Sequence, residues 1–268
     1  MSALYDLYQP GNSWLHRLDP RAKLLFVVCG FVVLLAIRNL WLVLAVLGGV
    51  HLLLWSAAIT RRRIAWVWRM TLPTMTMIAL LWVLVYPTAG RAWLAWGFVR
   101  IGAENLAEAL TIALRIGALA FVAAVWLFST DQATLVRGLV ALGLPYEWGL
   151  TLAMALRYLP TLASVFRMIS DAQQARALDL APRHPLKRAR AYLPITVAML
   201  ITALRTASNL SHALESRALG ACHTRTYLRA LRLRWLDWLW CLVVLLGAAA
   251  LLWARFSLGL GAHPLRIL

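Results

Sequence analysis

Five apolar stretches recur along the sequence, and each approaches the length that a helix needs to cross a lipid bilayer. They cover residues 22–37, 40–59, 65–87, 106–128 and 238–253. A spanning helix takes about 20 mostly apolar residues, with some latitude for tilt and for basic side chains that extend to the headgroups. Hydrophobic residues make up 62% of the chain and charged residues 14%, a balance that excludes most water-soluble enzymes and disulfide-rich scaffolds. The sequence therefore predicts an all-α integral membrane protein with about five transmembrane helices.

Basic residues indicate how these helices are oriented. The chain contains 27 Lys and Arg against 10 Asp and Glu, a net charge of +17. Short cytoplasmic loops of membrane proteins retain Lys and Arg. Arg61, Arg62 and Arg63 follow the second apolar stretch, whereas Arg38 alone follows the first. We therefore expect a multi-pass protein in a lipid bilayer, with the N-terminus in the cytoplasm and the C-terminus outside.

The residues between the fourth and fifth apolar stretches differ from the rest of the chain. They are strongly basic and carry apolar side chains at helical spacing, without a continuous apolar span. Two long amphipathic helices are predicted here, at about 148–178 and 194–219, with a break at 181–185, where two prolines fall. The predicted organisation is an N-terminal cytoplasmic segment at 1–21, four transmembrane helices within 22–128, a cytoplasmic helical domain at 129–236, and a last transmembrane helix with its tail at 237–268.

Both predicted amphipathic helices end in nearly the same tripeptide. In each, one arginine lies between small side chains, and Gly220 is expected to occupy the C′ position that ends the second helix. The negative end of a helix dipole favours a guanidinium, and small neighbours let another backbone approach closely. The arginine could therefore bind a carboxylate or carbonyls of a partner, or it could merely cap its own helix. The residues are Ala175, Arg176 and Ala177 at the first tip, and Ser216, Arg217 and Ala218 at the second.

Four runs of residues carry a resemblance to a known family. Residues 8–24, 144–147, 155–162 and 172–179 resemble, in order along the chain, the signatures of the transmembrane T component of energy-coupling factor (ECF) transporters. The resemblance covers nearly the whole chain, including the single late span. It implies a multi-pass protein of a prokaryotic cytoplasmic (inner) membrane.

The resemblance also implies a non-catalytic role. In this family two cytoplasmic coupling helices, each ending in Ala-Arg-Gly, insert into grooves of two ABC-type ATPase subunits. The rest of the protein holds a small substrate-binding membrane subunit, the S component, for uptake of vitamins, cobalt or nickel. By match of motif, Arg176 and Arg217 would contact the ATPases, which would bind the ATP, so this chain would need no cofactor. Ala177 and Ala218 stand where the family usually has Gly, and Ser216 stands where it often has Ala.

Further residues match the family's motifs away from the two tips. Asp19 and Pro20 also have a local interpretation, because Asp at the N-cap and Pro at the first helical position form a strong helix start. Arg21 and Lys23 would then lie at the cytoplasmic headgroups. The family motifs thus comprise Asp19, Pro20 and Arg21 near the N-terminus, and Arg157, Pro160, Gln173, Asp179 and Glu215 in the predicted helical domain.

Polar residues elsewhere suggest no catalytic or metal site. Arg115 lies in the middle of the fourth span, where a charge is costly and faces protein or water, and Glu108 is its candidate partner. The six histidines have no HxxxH or HExxH spacing, and no GxxxxGK[ST] motif is present to bind ATP. The sequence therefore predicts neither a metal site nor nucleotide binding.

Two other functions fit parts of the pattern. An integral-membrane enzyme acting on a lipid phosphate could use arginines as phosphate ligands, but the ten acidic residues form no DxxxD or DDxxD pattern. A nucleic-acid binder could use the charge of +17, but the basic residues follow the expected membrane sidedness. Lipid turnover by the isolated chain would favour the first alternative, and salt-sensitive DNA binding the second. We expect no nucleic-acid partner.

Overall fold

The computed structural model describes residues 9, 11, 13–86, 92–96, 99–180, 184–221 and 233–257. Residues 8, 10 and 12 of the N-terminal run, 181–183 of the break between the two long helices, and the predicted tail at 258–268 lie outside the described residues. The chain divides into two units. One comprises 6–144 and 231–268, here called the membrane unit, and the other comprises 1–5 and 145–230, here called the arm unit.

Helices and one short hairpin make up the described part of the membrane unit. The antiparallel hairpin lies between the fourth and fifth helices and pairs Ala92 with Gly102 and Trp96 with Val99. The sequence predicted no strand at this place. The elements are α1 (Trp14–Arg17), α2 (Pro20–Ala36), α3 (Leu40–Ser56), α4 (Arg61–Val85), β1 (Ala92–Trp96), β2 (Val99–Gly102), α5 (Ala103–Ser129), α6 (Gln132–Ala141) and, after the arm unit, α10 (Trp235–Ser257).

Helix α5 forms the centre of the membrane unit. It packs against α2, α3 and α4, while α10 packs against α2. Small residues allow these close approaches. A Cβ added at Gly117 of α5 would lie 2.9 Å from Met75 Sδ in α4, and one at Gly30 of α2 would lie 3.0 Å from a methyl of Val122 in α5. The interior is therefore close-packed around α5.

Side chains that precede α2 and α3 explain where these helices begin. Asp19 accepts a hydrogen bond from the Arg21 N–H at 3.0 Å, with Pro20 at the first helical position. The predicted helix start at Asp19 is therefore confirmed. Asn39 caps α3 in the same way, because its Oδ1 accepts from the Trp41 N–H at 2.9 Å. Each cap satisfies a backbone donor that the first helical turn leaves free.

The arm unit contains two long helices and one short one. They are α7 (Tyr146–Ala175), α8 (Pro185–Ala191) and α9 (Leu193–Glu215), and α7 packs against α9. Both long helices end three or four residues earlier than the sequence predicted. Their backbones reverse at Ala177 and Ala218, whose φ angles of 65° and 54° lie in the left-handed region. One side of α9 carries the apolar residues Val197, Leu200 and Leu204, and the described part of the arm unit leaves them exposed.

Length and composition support the predicted membrane fold but change which helices qualify. Five helical segments among the described residues are long and apolar enough to cross a membrane: α4, α5, α7, Leu186–Glu215 and α10. The sequence counted α2 and α3 as spans instead of α7 and α9. Helices α2 and α3 have 17 residues each, about 25 Å, against a hydrocarbon core of about 30 Å. Apart from the short hairpin, the described part of the chain has the predicted all-α fold of an integral membrane protein. The cytoplasmic location of α7 and α9 stays a prediction from their charge.

Candidate functional site

The C-terminal tip of α7 has a defined backbone geometry. The Leu178 N–H donates to the Gln173 carbonyl at 3.1 Å, and the Ala177 N–H donates to the Gln174 carbonyl at 2.9 Å. With Ala177 in the left-handed region, these two bonds form a Schellman motif. Arg176 is the C-cap residue, the last one before the reversal. The motif therefore fixes the direction in which the backbone presents Arg176.

The tip of α9 repeats this geometry residue for residue. The Leu219 N–H donates to the Leu214 carbonyl at 3.0 Å, and the Ala218 N–H donates to the Glu215 carbonyl at 2.9 Å. Ala218 takes the left-handed conformation, and Arg217 precedes it as Arg176 precedes Ala177. The similarity of the two tripeptides in sequence thus extends to the same pair of hydrogen bonds in space.

The expected role of Gly220 was wrong. The C′ residue of α9 is Ala218, because the Leu219 N–H reaches the Leu214 carbonyl only if the chain reverses at residue 218. Gly220 has a φ of 95° and belongs to a second turn, in which the Ala221 N–H donates to the Ala218 carbonyl at 3.2 Å. Alanine at C′ carries a backbone cost of about 1 kcal/mol that glycine avoids.

The guanidiniums of the two tip arginines do not bind the last carbonyls of their own helices. Arg176 and Arg217 are exposed, and neither guanidinium has a hydrogen bond or ion pair within the described ranges. The last-turn carbonyls of α7 and α9 that accept in the Schellman motifs already bind backbone N–H groups. Of the two interpretations that the sequence left open, the structure disfavours self-capping.

The other motif residues of the arm unit lie at different distances from the tips. Glu215 stands two residues before Arg217, where its Oε1 accepts from the Ser211 hydroxyl at 3.1 Å. Gln173 contributes its carbonyl to the first tip, and Asp179 follows that tip directly. Arg157 and Pro160 lie within α7, 16 to 19 residues before Arg176, which is about 24–28 Å along a helix. The structure therefore does not bring Arg157 and Pro160 to the tip.

The N-terminal motif lies in the membrane unit beside α6 and the start of α10. The Asp19 N–H donates to Asp237 Oδ1 at 2.8 Å, and the Arg234 N–H donates to Asp237 Oδ2 at 2.7 Å. Pro20 packs on α6, where a Cβ added at Gly138 would lie 3.1 Å from its ring. Asp237 was not predicted as part of a site. Its only signal was an acidic residue at the beginning of an apolar helix in a chain with ten acids.

Lys23 is not at the headgroups, contrary to expectation. Its side chain is buried, with 3% of the residue exposed, and its Nζ donates to the Ser129 carbonyl at 2.8 Å. Burial disfavours the charge of this ammonium, whereas the nearby carboxylates of Asp19 and Asp237 favour it. The ammonium therefore joins the beginning of α2 to the end of α5 instead of extending to the lipid surface.

Gln9 connects the loops at the same end of the membrane unit. Its backbone N–H donates to the Phe128 carbonyl at 3.0 Å, and its side chain accepts from the Thr60 N–H at 3.2 Å. Its own carbonyl accepts from His16 Nε2 at 2.9 Å. Burial lowers the pKa of His16, while the Gln9 carbonyl raises it and Lys23 lowers it by smaller amounts.

Arg115 pairs with a carbonyl rather than with Glu108. Its Nη2 donates to the Ile37 carbonyl at 2.6 Å, and Arg255 Nε donates to the Ala36 carbonyl at 3.2 Å. No ion pair joins Arg115 to Glu108, both of which the structure describes. The two arginines satisfy carbonyls at the end of α2 that the helix itself leaves free. Arg115 therefore has a structural partner inside the protein.

Within the described ranges, no group of three or more His, Cys, Asp or Glu side chains is placed to hold a metal ion. The expectation that this chain binds neither a metal nor a cofactor stays a prediction.

Known proteins resemble this chain over most of its length. The model of the family described as "Cobalt transport protein" (CbiQ) matches residues 11–228, a range that includes both arginine tips. The energy-coupling factor transporter transmembrane protein EcfT of Brevibacillus brevis is 30% identical over 258 residues, which cover 92% of this chain and 96% of that protein. The EcfT of Lactococcus lactis subsp. cremoris is 28% identical over 268 residues, or 95% of this chain and 98% of that protein.

A third relative, the EcfT of Acidaminococcus fermentans, is 31% identical over 233 residues, which cover 84% of this chain and 86% of that protein. The family match and the relatives indicate the same family, and the apolar helices are consistent with its location in a membrane. The chain belongs to the CbiQ/EcfT family and is a multi-pass transmembrane component of an ECF transporter.

Proposed function

We propose that this chain is the non-catalytic coupling subunit of its transporter. It transmits the ATP-driven movement of two ABC-type ATPase subunits to a small S component that binds a micronutrient, such as a vitamin, cobalt or nickel. The observation that carries this proposal is the pair of matching tips. Each presents one exposed guanidinium, Arg176 or Arg217, without a partner in the described part of the chain.

The tip geometry suits contact with another protein. A guanidinium has five N–H donors in a planar fork, which bind a carboxylate or neighbouring carbonyls in two places at once. The side chains on either side of Arg176 and Arg217 are Ala or Ser, so a groove of a partner can approach the backbone closely. The Schellman bonds join each tip to the last turn of its helix, which supports transmission of a partner's movement from the tip to the helix.

The exposed apolar side of α9 suits the S component or lipid. Val197, Leu200 and Leu204 are exposed within the described part of the arm unit, and contiguous exposed apolar surface marks a site of protein or membrane contact. We place the arm unit in the cytoplasm and the N-terminus on the same side of the cell membrane, because the basic loops favour that orientation. ATP is then bound by the partner ATPases alone.

Charge reversal at both tips tests the coupling role. We expect Arg176→Glu with Arg217→Glu to fold but to lose co-purification of the ATPases by at least about tenfold, since each substitution replaces a donor by a like charge opposite any carboxylate. The matched control is Arg190→Glu with Arg205→Glu, which makes the same change of charge at exposed positions of α8 and α9 away from the tips. The control should retain the ATPases. Stoichiometric recovery of ATPase with the tip variant would rule out the proposal.

A further inference from the structure

A cavity of about 710 Å³ lies in the membrane unit between α1 and the first turns of α10. Two arginines line it, Arg17 at the end of α1 and Arg234 just before α10. Apolar and aromatic side chains form much of the remaining wall, among them Trp14, Trp240 and Val243. The coupling role proposed above uses none of these residues.

The guanidiniums of both arginines of the cavity lack a partner among the described residues. Arg17 and Arg234 are exposed, and neither side chain makes a hydrogen bond or ion pair with the part of the chain that the structure describes. The backbone of Arg234 is nevertheless fixed, because its N–H donates to Asp237 Oδ2 at 2.7 Å. Two such guanidiniums beside one cavity attract an anion with several oxygen acceptors, such as a phosphate group.

The carboxylate of Asp237 also lines this cavity but does not neutralise the two arginines. Both of its oxygens accept backbone N–H groups, from Asp19 at 2.8 Å and from Arg234 at 2.7 Å. Only 2% of the residue is exposed, and Lys23 lies close enough to stabilise its charge. The positive charge of the cavity therefore remains available to a ligand.

The apolar wall indicates that the ligand also carries hydrocarbon. Trp14 and Trp240 meet edge to face with ring centroids 5.2 Å apart, and tryptophan favours the boundary between headgroups and acyl chains. Leu239 is 44% exposed and Val243 is 56% exposed, and the apolar surface continues along α10 to Leu246. A free phosphate would leave this wall uncovered, whereas a neutral lipid would leave both arginines unpaired.

We propose that this cavity binds one anionic phospholipid of the surrounding membrane. Its phosphate lies between Arg17 and Arg234, and an acyl chain follows Leu239 and Val243 along α10. Basic pockets between transmembrane helices recognise lipid headgroups in this way. Because the lipid contacts α1 and α10 together, it stabilises the contact between the first and the last helix of the membrane unit. The inference does not depend on the coupling role of the tips.

Native mass spectrometry of the full chain tests this site. The protein is purified with equal amounts of phosphatidylglycerol and phosphatidylcholine, and the lipid that stays bound is identified. We expect wild type to retain phosphatidylglycerol, and Arg17→Gln with Arg234→Gln to reduce its retention roughly 10- to 30-fold. The matched control, Arg61→Gln with Arg62→Gln, removes the same charge at the exposed start of α4 and should retain the lipid. Equal loss in control and test variants would show diffuse attraction to charge and would overturn the proposal.

Two further measurements distinguish a bound lipid from a simple anion and from a folding defect of the variant. Val243→Trp fills the cavity without changing its charge, so we expect it to lose phosphatidylglycerol as well. This variant decides the question should the double glutamine variant fail to fold. Excess inorganic phosphate should leave the lipid in place. Displacement by phosphate, retention by Val243→Trp, or equal retention of phosphatidylcholine by wild type would each contradict an anionic-phospholipid site.

Discussion

The C-terminal carbonyls of α2 accept hydrogen bonds from different donors than those of the arm helices α7 and α9, although arginines are present at all three ends. In the membrane unit, Arg115 and Arg255 come from α5 and α10 and donate to the last carbonyls of α2. In the arm unit, backbone N–H groups occupy the last-turn carbonyls, and neither Arg176 nor Arg217 has a side-chain partner among the described residues. A Schellman motif thus releases an arginine that would otherwise serve its own helix. The difference separates arginines that bind carbonyls of this protein from arginines whose guanidiniums are exposed.

The contrast between charges paired inside the protein and exposed charges also applies to Asp237. Its removal is expected to have the largest effect on stability. Asp237 is buried and accepts from two backbone N–H groups near Lys23. Asp237→Ala therefore leaves two donors without their acceptor and removes one of the two carboxylates that favour the charge of Lys23. We expect a loss of about 3–5 kcal/mol in the free energy of unfolding, measured by thermal or denaturant unfolding in detergent.

The same unfolding measurement is made on variants with substitutions in the arm unit. Arg176→Ala with Arg217→Ala removes two charges that contact nothing in the described part of the chain, so we expect a change within about 0.5 kcal/mol. Glu147→Ala, at an exposed position of α7, is the second control. If Asp237→Ala unfolded at the temperature of wild type, or if the tip variant were equally destabilised, the division between internal and outward charges would be wrong.

The alanines at the C′ positions allow a finer test. Ala177 and Ala218 hold φ angles of 65° and 54°, where a Cβ meets the following carbonyl. We expect Ala177→Gly and Ala218→Gly each to stabilise the local turn by about 1 kcal/mol. Hydrogen exchange of the Leu178 and Leu219 amides, the donors that close the two motifs, should slow accordingly.

Ala175→Gly is the control for those substitutions. Residue 175 is the last helical residue of α7, where glycine is less favourable than alanine by about 1 kcal/mol. We expect faster exchange of the same Leu178 amide in this variant. Unchanged or faster exchange in Ala177→Gly would mean that the first tip does not hold the left-handed conformation in solution.

Features that depend on contiguous residues could be predicted from this sequence. The Asp19-Pro20 helix start and the two tips are settled by residues within one or two turns, and the apolar stretches indicated the membrane fold. The C′ position of α9 failed because glycine preference is only a statistical guide. Gly220 was the only glycine nearby, yet the hydrogen bond from Leu219 places the reversal at Ala218.

Contacts between distant residues could not be predicted. Asp19 and Asp237 are separated by 218 residues, and Arg115 and Ile37 by 78. Nothing in one sequence specifies which carbonyl a buried arginine will meet, so Glu108 was a reasonable but wrong partner for Arg115. Likewise, composition did not separate the predicted spans from the arm helices. Helix α7 and the segment Leu186–Glu215, which contains α9, each have 30 residues and a mean hydropathy of 1.3, against 25 residues and 1.4 for α4.

The smallest expected effect is on the pH dependence of stability, and it is tested by replacing one histidine in each unit. His16 in α1 is partly buried between Gln9 and Ser13, and burial lowers its pKa below the ordinary 6.5. A histidine with a lowered pKa in the folded state binds protons more readily when unfolded, so its contribution to stability is complete above pH about 6.5 and is lost as the pH falls further. We therefore expect the wild type to lose part of its unfolding free energy below that pH, and His16→Gln to lose less over the same interval. His212→Gln is the control on α9: its ring lies 3.6 Å from Glu215 in an exposed pair, which contributes little to stability. An identical acid dependence in wild type and His16→Gln would show that protonation of His16 does not oppose the contacts around Gln9.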